Sequence, residues 1–162
     1  MGIHFSLFLF MQLRINIMIR IITILLGLSL AAITTAPLLM QSGNLFLNYF
    51  GTVIYFLADP ICHQLPERSL FINDLPMPVC ARCFSIYLGG FFIFALAWIK
   101  QSCKQWPNWI YYAAVSLFSI EILLEHVNLY HNIIELRLLS GFILGLLLFR
   151  ILLETIIKKR FI

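Results

Sequence analysis

Charge is what this sequence has least of. Among 162 residues, 11% are Asp, Glu, Lys or Arg, and 7 of them are acidic. A soluble domain carries about 25% charged residues, so there is too little charged side chain here to cover a surface in water. The chain also has no internal repeat, no low-complexity tract and no heptad pattern, which excludes a solenoid and a long coiled coil. No basic run is interleaved with exposed aromatics, and a nucleic-acid interface is excluded on that ground, although 11 basic residues leave a net charge of +4. Cysteine is scarce too. Of the 4 present, Cys62, Cys80 and Cys83 fall within one stretch of 22 residues, and Cys103 stands apart.

What fills the chain is apolar. The hydrophobic set makes up 62% of residues, and the mean hydropathy is +0.96. A membrane-spanning helix takes about 20 mostly apolar residues, so the set supplies about four such helices and leaves no room for a second, soluble domain. The expectation is an all-α integral membrane bundle over residues 1–162, with the lipid bilayer as its first partner.

Spans are expected over about residues 15–40, 80–99, 109–125 and 138–157. Arg14 and Arg20 front the first, and Pro37 lies near its end. The same segment has the outline of a signal peptide with Thr34-Thr35-Ala36 as its cleavage site, but Pro37 directly after that site argues against cleavage. The interrupted apolar residues before Met11 are in keeping with an early start codon. Residues 45–59 are apolar and aromatic but short for a span, and Asn48, Gly51, Thr52 and Asp59 make one side less oily. That suits an interfacial or re-entrant helix. Residues 60–79 carry Pro60, Pro66, Pro76 and Pro78 and read as a loop.

Four spans put Arg14, Arg20, Lys100, Lys104, Lys158, Lys159 and Arg160 on one side and Arg68, Arg82 and Arg137 on the other. Basic residues are retained on the cytoplasmic side, so the expected topology is a multi-pass protein of the cell (inner) membrane, both termini cytoplasmic and the Cys-rich loop outside. Gly89 and Gly90 in the second span, and Gly141 with Gly145 in the fourth, give the small-residue spacing that lets helices approach closely in lipid. That stripe suits packing within the bundle, or a homo-oligomer through Gly141 and Gly145.

The residues that can do chemistry are concentrated. Cys62-His63-Gln64-Leu65-Pro66-Glu67-Arg68-Ser69 is followed by Pro78-Val79-Cys80-Ala81-Arg82-Cys83. Zinc takes four tetrahedral ligands from Cys and His, and Cys-x2-Cys is the usual spacing of half such a site. Cys62, His63, Cys80 and Cys83 are the candidate ligands, although adjacent Cys62 and His63 make a strained pair for one ion and water can fill an open position. Cys-x2-Cys at a helix start is also the geometry of thiol-disulfide exchange. Cys83 in the first turn, beside Arg82, would have its thiol pKa lowered, with Cys80 as its partner and Cys62 as a third, resolving thiol. A plain structural disulfide is the third possibility. Cys103, beside basic residues on the cytoplasmic side, reads as incidental.

Glu121, Glu125 and His126 form a second constellation near the end of the third span. Glu121 and Glu125 share a helix face. An intramembrane carboxylate costs roughly 2.5–3.5 kcal/mol at mid-depth, so it normally has a partner or a function. Arg82 and Arg137 start the second and fourth spans at the same outer level, so a structural ion pair such as Glu121 with Arg137 is expected. The other reading is a metal, proton or substrate path in a small transporter or channel component. Arg150 and Glu154 are one turn apart and expected to pair. Tyr87, one turn beyond Cys83, is placed to support the Cys site or to pack at the interface; His131 and Asn132 read as a solvated loop.

The segments Cys62-His63-Gln64-x-Pro66-x-Arg68-Ser69 and Pro78-Val79-Cys80-Ala81-Arg82-Cys83, with Tyr87 and Arg137-x3-Gly141-x3-Gly145, resemble the signature of a family of small prokaryotic membrane proteins of unknown function. The resemblance covers about residues 45–148. Phe84-Ser85 stands where that family usually has Thr-Gly, and Glu121-Ile122 where it usually has Asp-Gly. The acid at position 121 thus keeps its charge but not its reach. The resemblance implies a shared site of Cys, His and Arg and no particular activity.

Overall fold

The computed structural model describes residues 2–100, 106–127 and 133–158. Cys103, Lys104, His131, Asn132, Lys159 and Arg160 lie outside the described residues, as do the side chains of Lys100, His126 and Lys158. In chain order the elements are α1 (Gly2–Met40), α2 (Leu45–Ala58), a 3-10 turn (Pro66–Arg68), β1 (Ser69–Ile72), β2 (Leu75–Cys80), α3 (Ala81–Lys100), α4 (Asn108–His126) and α5 (Ile134–Lys158). The protein is an all-α membrane bundle with one small hairpin.

Among the described residues, three helical stretches are long and apolar enough to cross a membrane: Gln12–Met40, Ala81–Ile99 and Ile134–Ile157. The expected third span, residues 109–125, forms α4 but does not join them by composition. Its Tyr111, Tyr112, Ser116, Ser119, Glu121 and Glu125 dilute an otherwise apolar run of sufficient length. α2 is the shorter apolar helix. Asn44 caps it, accepting the Phe46 N–H at 3.0 Å. It folds back on the end of α1 at Gly51, where a Cβ would stand 3.1 Å from the Ala36 carbonyl oxygen.

Residues 69–80, all but Cys80 expected to be loop, pair as an antiparallel hairpin. The two-residue connection, Asn73 and Asp74, has φ of 47° and 66°, the left-handed pair a tight hairpin turn requires. Pro76 and Pro78 alternate along β2, and a two-stranded ribbon leaves each strand one unpaired edge, where a residue without N–H costs nothing. Proline content alone therefore misled.

α3 and α5 run side by side in the same direction. Gly141 lies against the Arg82 backbone, Gly145 against Ile86, and Gly90 against the Phe149 ring. Further along, Phe94 meets Phe149 edge-on at 6.2 Å. A Cβ on Gly89 would fall 2.6 Å from the Phe142 carbonyl oxygen, so the helices approach to backbone contact. Gly141 and Gly145 are thus taken up inside the chain, which is the first of the two uses expected for that stripe. Between lipid-facing helices apolar burial gains little transfer energy, and cohesion rests on such close packing and on polar contacts.

α1 runs opposite to α3. Ile19 and Leu26 share a buried cluster with Ile93, Phe94, Ala97 and Leu153, while Ile33 packs with Val79 and Cys62 near the start of α3. α4 also runs opposite to its neighbours. Its Tyr111 donates to Glu154 late in α5 at 3.0 Å, and its Glu125 accepts from Arg137 early in α5.

Candidate functional site

The start of α3 positions two polar clusters back to back. On one side the Cys62, Cys80 and Cys83 sulfurs lie within 4.8 Å of one another. Cys62 arrives at the end of α2, where its N–H continues the helical bonding to Ala58. Cys80 ends β2, and its N–H donates to the Cys62 sulfur at 3.2 Å. Ile33, Ala58, Met77 and Val79 form a buried shell with Cys62, against which Tyr87, Phe84 and the other two cysteines pack. The three described thiols are free, with no disulfide among them.

Cys80, the last residue before α3, occupies its N-cap position. The Cys83 thiol hydrogen bond lowers the Cys80 pKa; burial opposes it, and backbone N–H groups of Cys83 and Arg82 and the Cys62 thiol lower it further. Sequence reasoning gave the activated thiol to Cys83. The helix start instead offers its unpaired N–H groups to Cys80, because a cap side chain reaches back over the first turn whereas one inside that turn does not.

His63, the fourth expected ligand, is exposed and does not belong to the sulfur trio. Next to it, Gln64 holds a left-handed backbone, φ 49°, and donates to the Tyr55 carbonyl at 2.6 Å. That contact ties the turn after Cys62 back to α2. Ser69 is fully buried and donates to the Leu65 carbonyl at 3.0 Å, closing the 3-10 turn. Gln64 and Ser69 were visible in the motif, but nothing in their residue type announced that their work is to shape the loop.

On the other side of the α3 start lie the charges. Arg82 reaches Glu121 at 2.6 Å and Glu125 at 3.1 Å, with its guanidinium 5.7 Å from the Phe118 ring centre. Glu125 also accepts from Arg137, which is 2% exposed, and stands 3.6 Å from the half-exposed Arg68. The expected pairing of Glu121 with Arg137 is therefore replaced. Glu125 lies one turn nearer the start of α5 and takes Arg137, which leaves Glu121 to Arg82. The Nε atoms of Arg82 and Arg137 are buried without a hydrogen-bond partner among the described residues. At the far end of the bundle Arg150 and Glu154 pair as expected, at 2.9 Å. Tyr111 and Trp106, which the sequence did not single out, complete that cluster.

A tetrahedral zinc with Zn–S bonds of about 2.3 Å sets its sulfurs about 3.8 Å apart. A trio already within 4.8 Å needs contraction by an ångström or less. The donor set, three soft sulfurs in a largely apolar shell, suits a thiophilic metal.

Similarity to known proteins agrees with this architecture. Residues 62–151 match the family described as Predicted membrane protein (DUF2085). The chain belongs to this family, and the matched stretch begins at Cys62 and takes in the whole sulfur trio and both Arg/Glu partners. An uncharacterized protein of Methanocaldococcus jannaschii, MJ1492, is 33% identical over 103 residues, which are 62% of this chain and 66% of that protein. An uncharacterized protein of Methanothermobacter thermautotrophicus is 46% identical over 39 residues, 24% of this chain and 35% of the relative. The chain thus spans less than two thirds of the length of either relative. No solved structure matches the chain.

Proposed function

We propose that this protein is a four-crossing membrane protein that binds zinc through Cys62, Cys80 and Cys83 at the outer surface of the cell (inner) membrane. The carrying observation is the convergence within 4.8 Å of three sulfurs from the turn after α2, the end of β2 and the first turn of α3. With His63 exposed and outside the trio, the fourth position is left to water or to an exogenous ligand, the arrangement of metal sites that act on something and do not merely brace a fold. Tyr87 packs against the centre, and Arg68, Arg82, Glu121, Glu125 and Arg137, joined to one another beside it, support the helix start that carries it.

Four crossings are supported by direction. α3 and α5 run parallel and each is long enough to span, so the chain between them must return across the same thickness. α4 lies at Glu154 near one end and at Arg137 near the other. The distribution of basic residues supports cytoplasmic termini.

The test is metal analysis of the full chain purified in mild detergent. We expect one zinc per chain, lost in Cys62→Ser, Cys80→Ser and Cys83→Ser and retained in Cys103→Ser and His63→Ala. Wild-type protein without stoichiometric metal, and with two of the three cysteines joined, would overturn this reading in favour of a membrane thiol-disulfide oxidoreductase. That second reading has its own support in the capped Cys80 sulfur beside two further thiols. Labelling of the trio by a charged maleimide in intact cells, after metal removal, checks the orientation.

A further inference from the structure

A cavity of about 230 Å³ lies between α1, α2 and α3, next to the sulfur trio. Ala32 and Ile33 on α1, Ile54 and Leu57 on α2, Val79 on β2 and Tyr87 on α3 form its walls. Two of these are shared with the centre: Ile33 and Val79 belong to the buried shell that encloses Cys62. The cavity therefore begins at the level of the sulfurs. It reaches Tyr87, six residues into α3, about 9 Å deeper along the bundle.

Its surroundings decide what can enter. Leu57 and Ile61, which line it at the end of α2, are each 62% exposed, so the cavity opens among side chains that face hydrocarbon. The one hydroxyl contributed by α1, Ser29, is already donated to the Leu25 carbonyl at 2.8 Å. A cavity of about 150 Å³ admits a benzene ring; this one takes a stretch of aliphatic chain and not a bulky solute. A chain lying along it, tip toward Tyr87, holds its polar end at the outer level, beside Cys62 and Val79.

We propose that this cavity seats the first methylenes of the acyl chain of a membrane amphiphile, so that the polar head of that amphiphile stands at the sulfur trio. The ligand of the centre thus arrives from the bilayer and not from water. The placement rests on the reading of the trio as the functional centre, but binding in the cavity does not depend on metal.

The experiment uses the full chain in phosphatidylcholine vesicles with palmitic acid carrying a diazirine close to its carboxylate, and maps adducts by mass spectrometry. Adducts are expected to concentrate within residues 29–33 and 54–61. Ala32→Trp and Ile54→Trp, which fill the cavity from opposite walls, should each lower them roughly tenfold, the loss of about 1.4 kcal/mol of binding. Leu28→Trp, on the lipid-facing side of α1, should leave them unchanged. Adducts spread evenly over lipid-facing positions such as Leu28 and Leu139 would overturn the proposal, as would filling variants without effect. Competition by a short-chain quinone but not by unlabelled palmitate would overturn the acyl assignment. Zinc content measured on the same samples separates the two readings: zinc without localised adducts refutes the cavity alone, and localised adducts without zinc refute the metal centre alone.

Discussion

The two polar clusters at the start of α3 use neighbouring residues and solve opposite problems. Arg82 and Arg137 face Glu121 and Glu125, so charges buried there are balanced from within the chain. Cys62, Cys80 and Cys83 face one another, and among the described residues no cation joins them; every thiol that ionises adds negative charge to an apolar shell. A buried charge persists only when paired or bound to metal. The first cluster is therefore a fastener that holds α4 to α3 and α5, and on the function proposed above the second is a receptor for a cation.

The strongest way to break this contrast is to strip the fastener. Glu125→Leu removes the acceptor that Arg137 and Arg82 share and leaves a guanidinium with 2% exposure unpaired. Breaking a buried pair from one side costs about 3–5 kcal/mol. Unfolding in detergent should show a loss of that order, while zinc per folded chain stays at the wild-type value. Zinc lost in step with Glu125 would mean that the two clusters form one site, and the contrast would fall.

A smaller effect is expected where helices are held by shape and not by charge. Gly145→Leu drives a side chain into the Ile86 backbone of α3, with no flexible atom to yield. Overpacking of this kind costs about 1–3 kcal/mol. It should separate α3 from α5 without disturbing the α1 wall of the centre, so zinc should again be retained. The comparison is sharpened by measuring both variants against Cys80→Ser, which should lose zinc and keep most of the metal-free stability.

These outcomes bear on how the chain encodes itself. The bundle was legible because lipid demands long apolar runs, and the ends of α3 and α5 fell within a few residues of expectation. The close α3 and α5 contact was legible in Gly89, Gly141 and Gly145, since in lipid small residues are the means of approach. The sulfur trio followed from the Cys-x2-Cys spacing of Cys80 and Cys83 and from the presence of Cys62 in the same stretch of 22 residues. What was not legible depends on direction in space. Pro76 and Pro78 read as loop because their role in β2 depends on which edge of the ribbon is free. His63 read as a ligand because adjacency to Cys62 in sequence does not reveal that its side chain is exposed and outside the sulfur trio. The choice of Glu125 over Glu121 for Arg137 needed the relative heights of α4 and α5, which no local pattern contains.

The receptor half of the contrast carries the subtlest prediction, because it concerns a single proton. Cys80 has its pKa lowered in the folded protein, first by the Cys83 thiol hydrogen bond, below the value of about 8.5 for an unhindered thiol. A depressed pKa favours folding above the unfolded value and forfeits that contribution as pH falls through the folded one. Metal-free protein should accordingly lose a little thermal stability as pH is lowered below about 8.5, and Cys80→Ser should flatten that dependence. Alkylation reads the same proton directly. An ordinary thiol slows about tenfold per pH unit below its pKa, whereas Cys80 in folded, metal-free protein should slow less between pH 8.5 and 6.5. Cys83→Ala, which removes the leading donor, should restore most of the ordinary slope, and Cys62→Ala should restore less. An unchanged slope in Cys83→Ala would mean that the helix start alone holds the thiolate. Cys80 would then be a capped anion like any other, and the receptor would reduce to one residue with two bystanders.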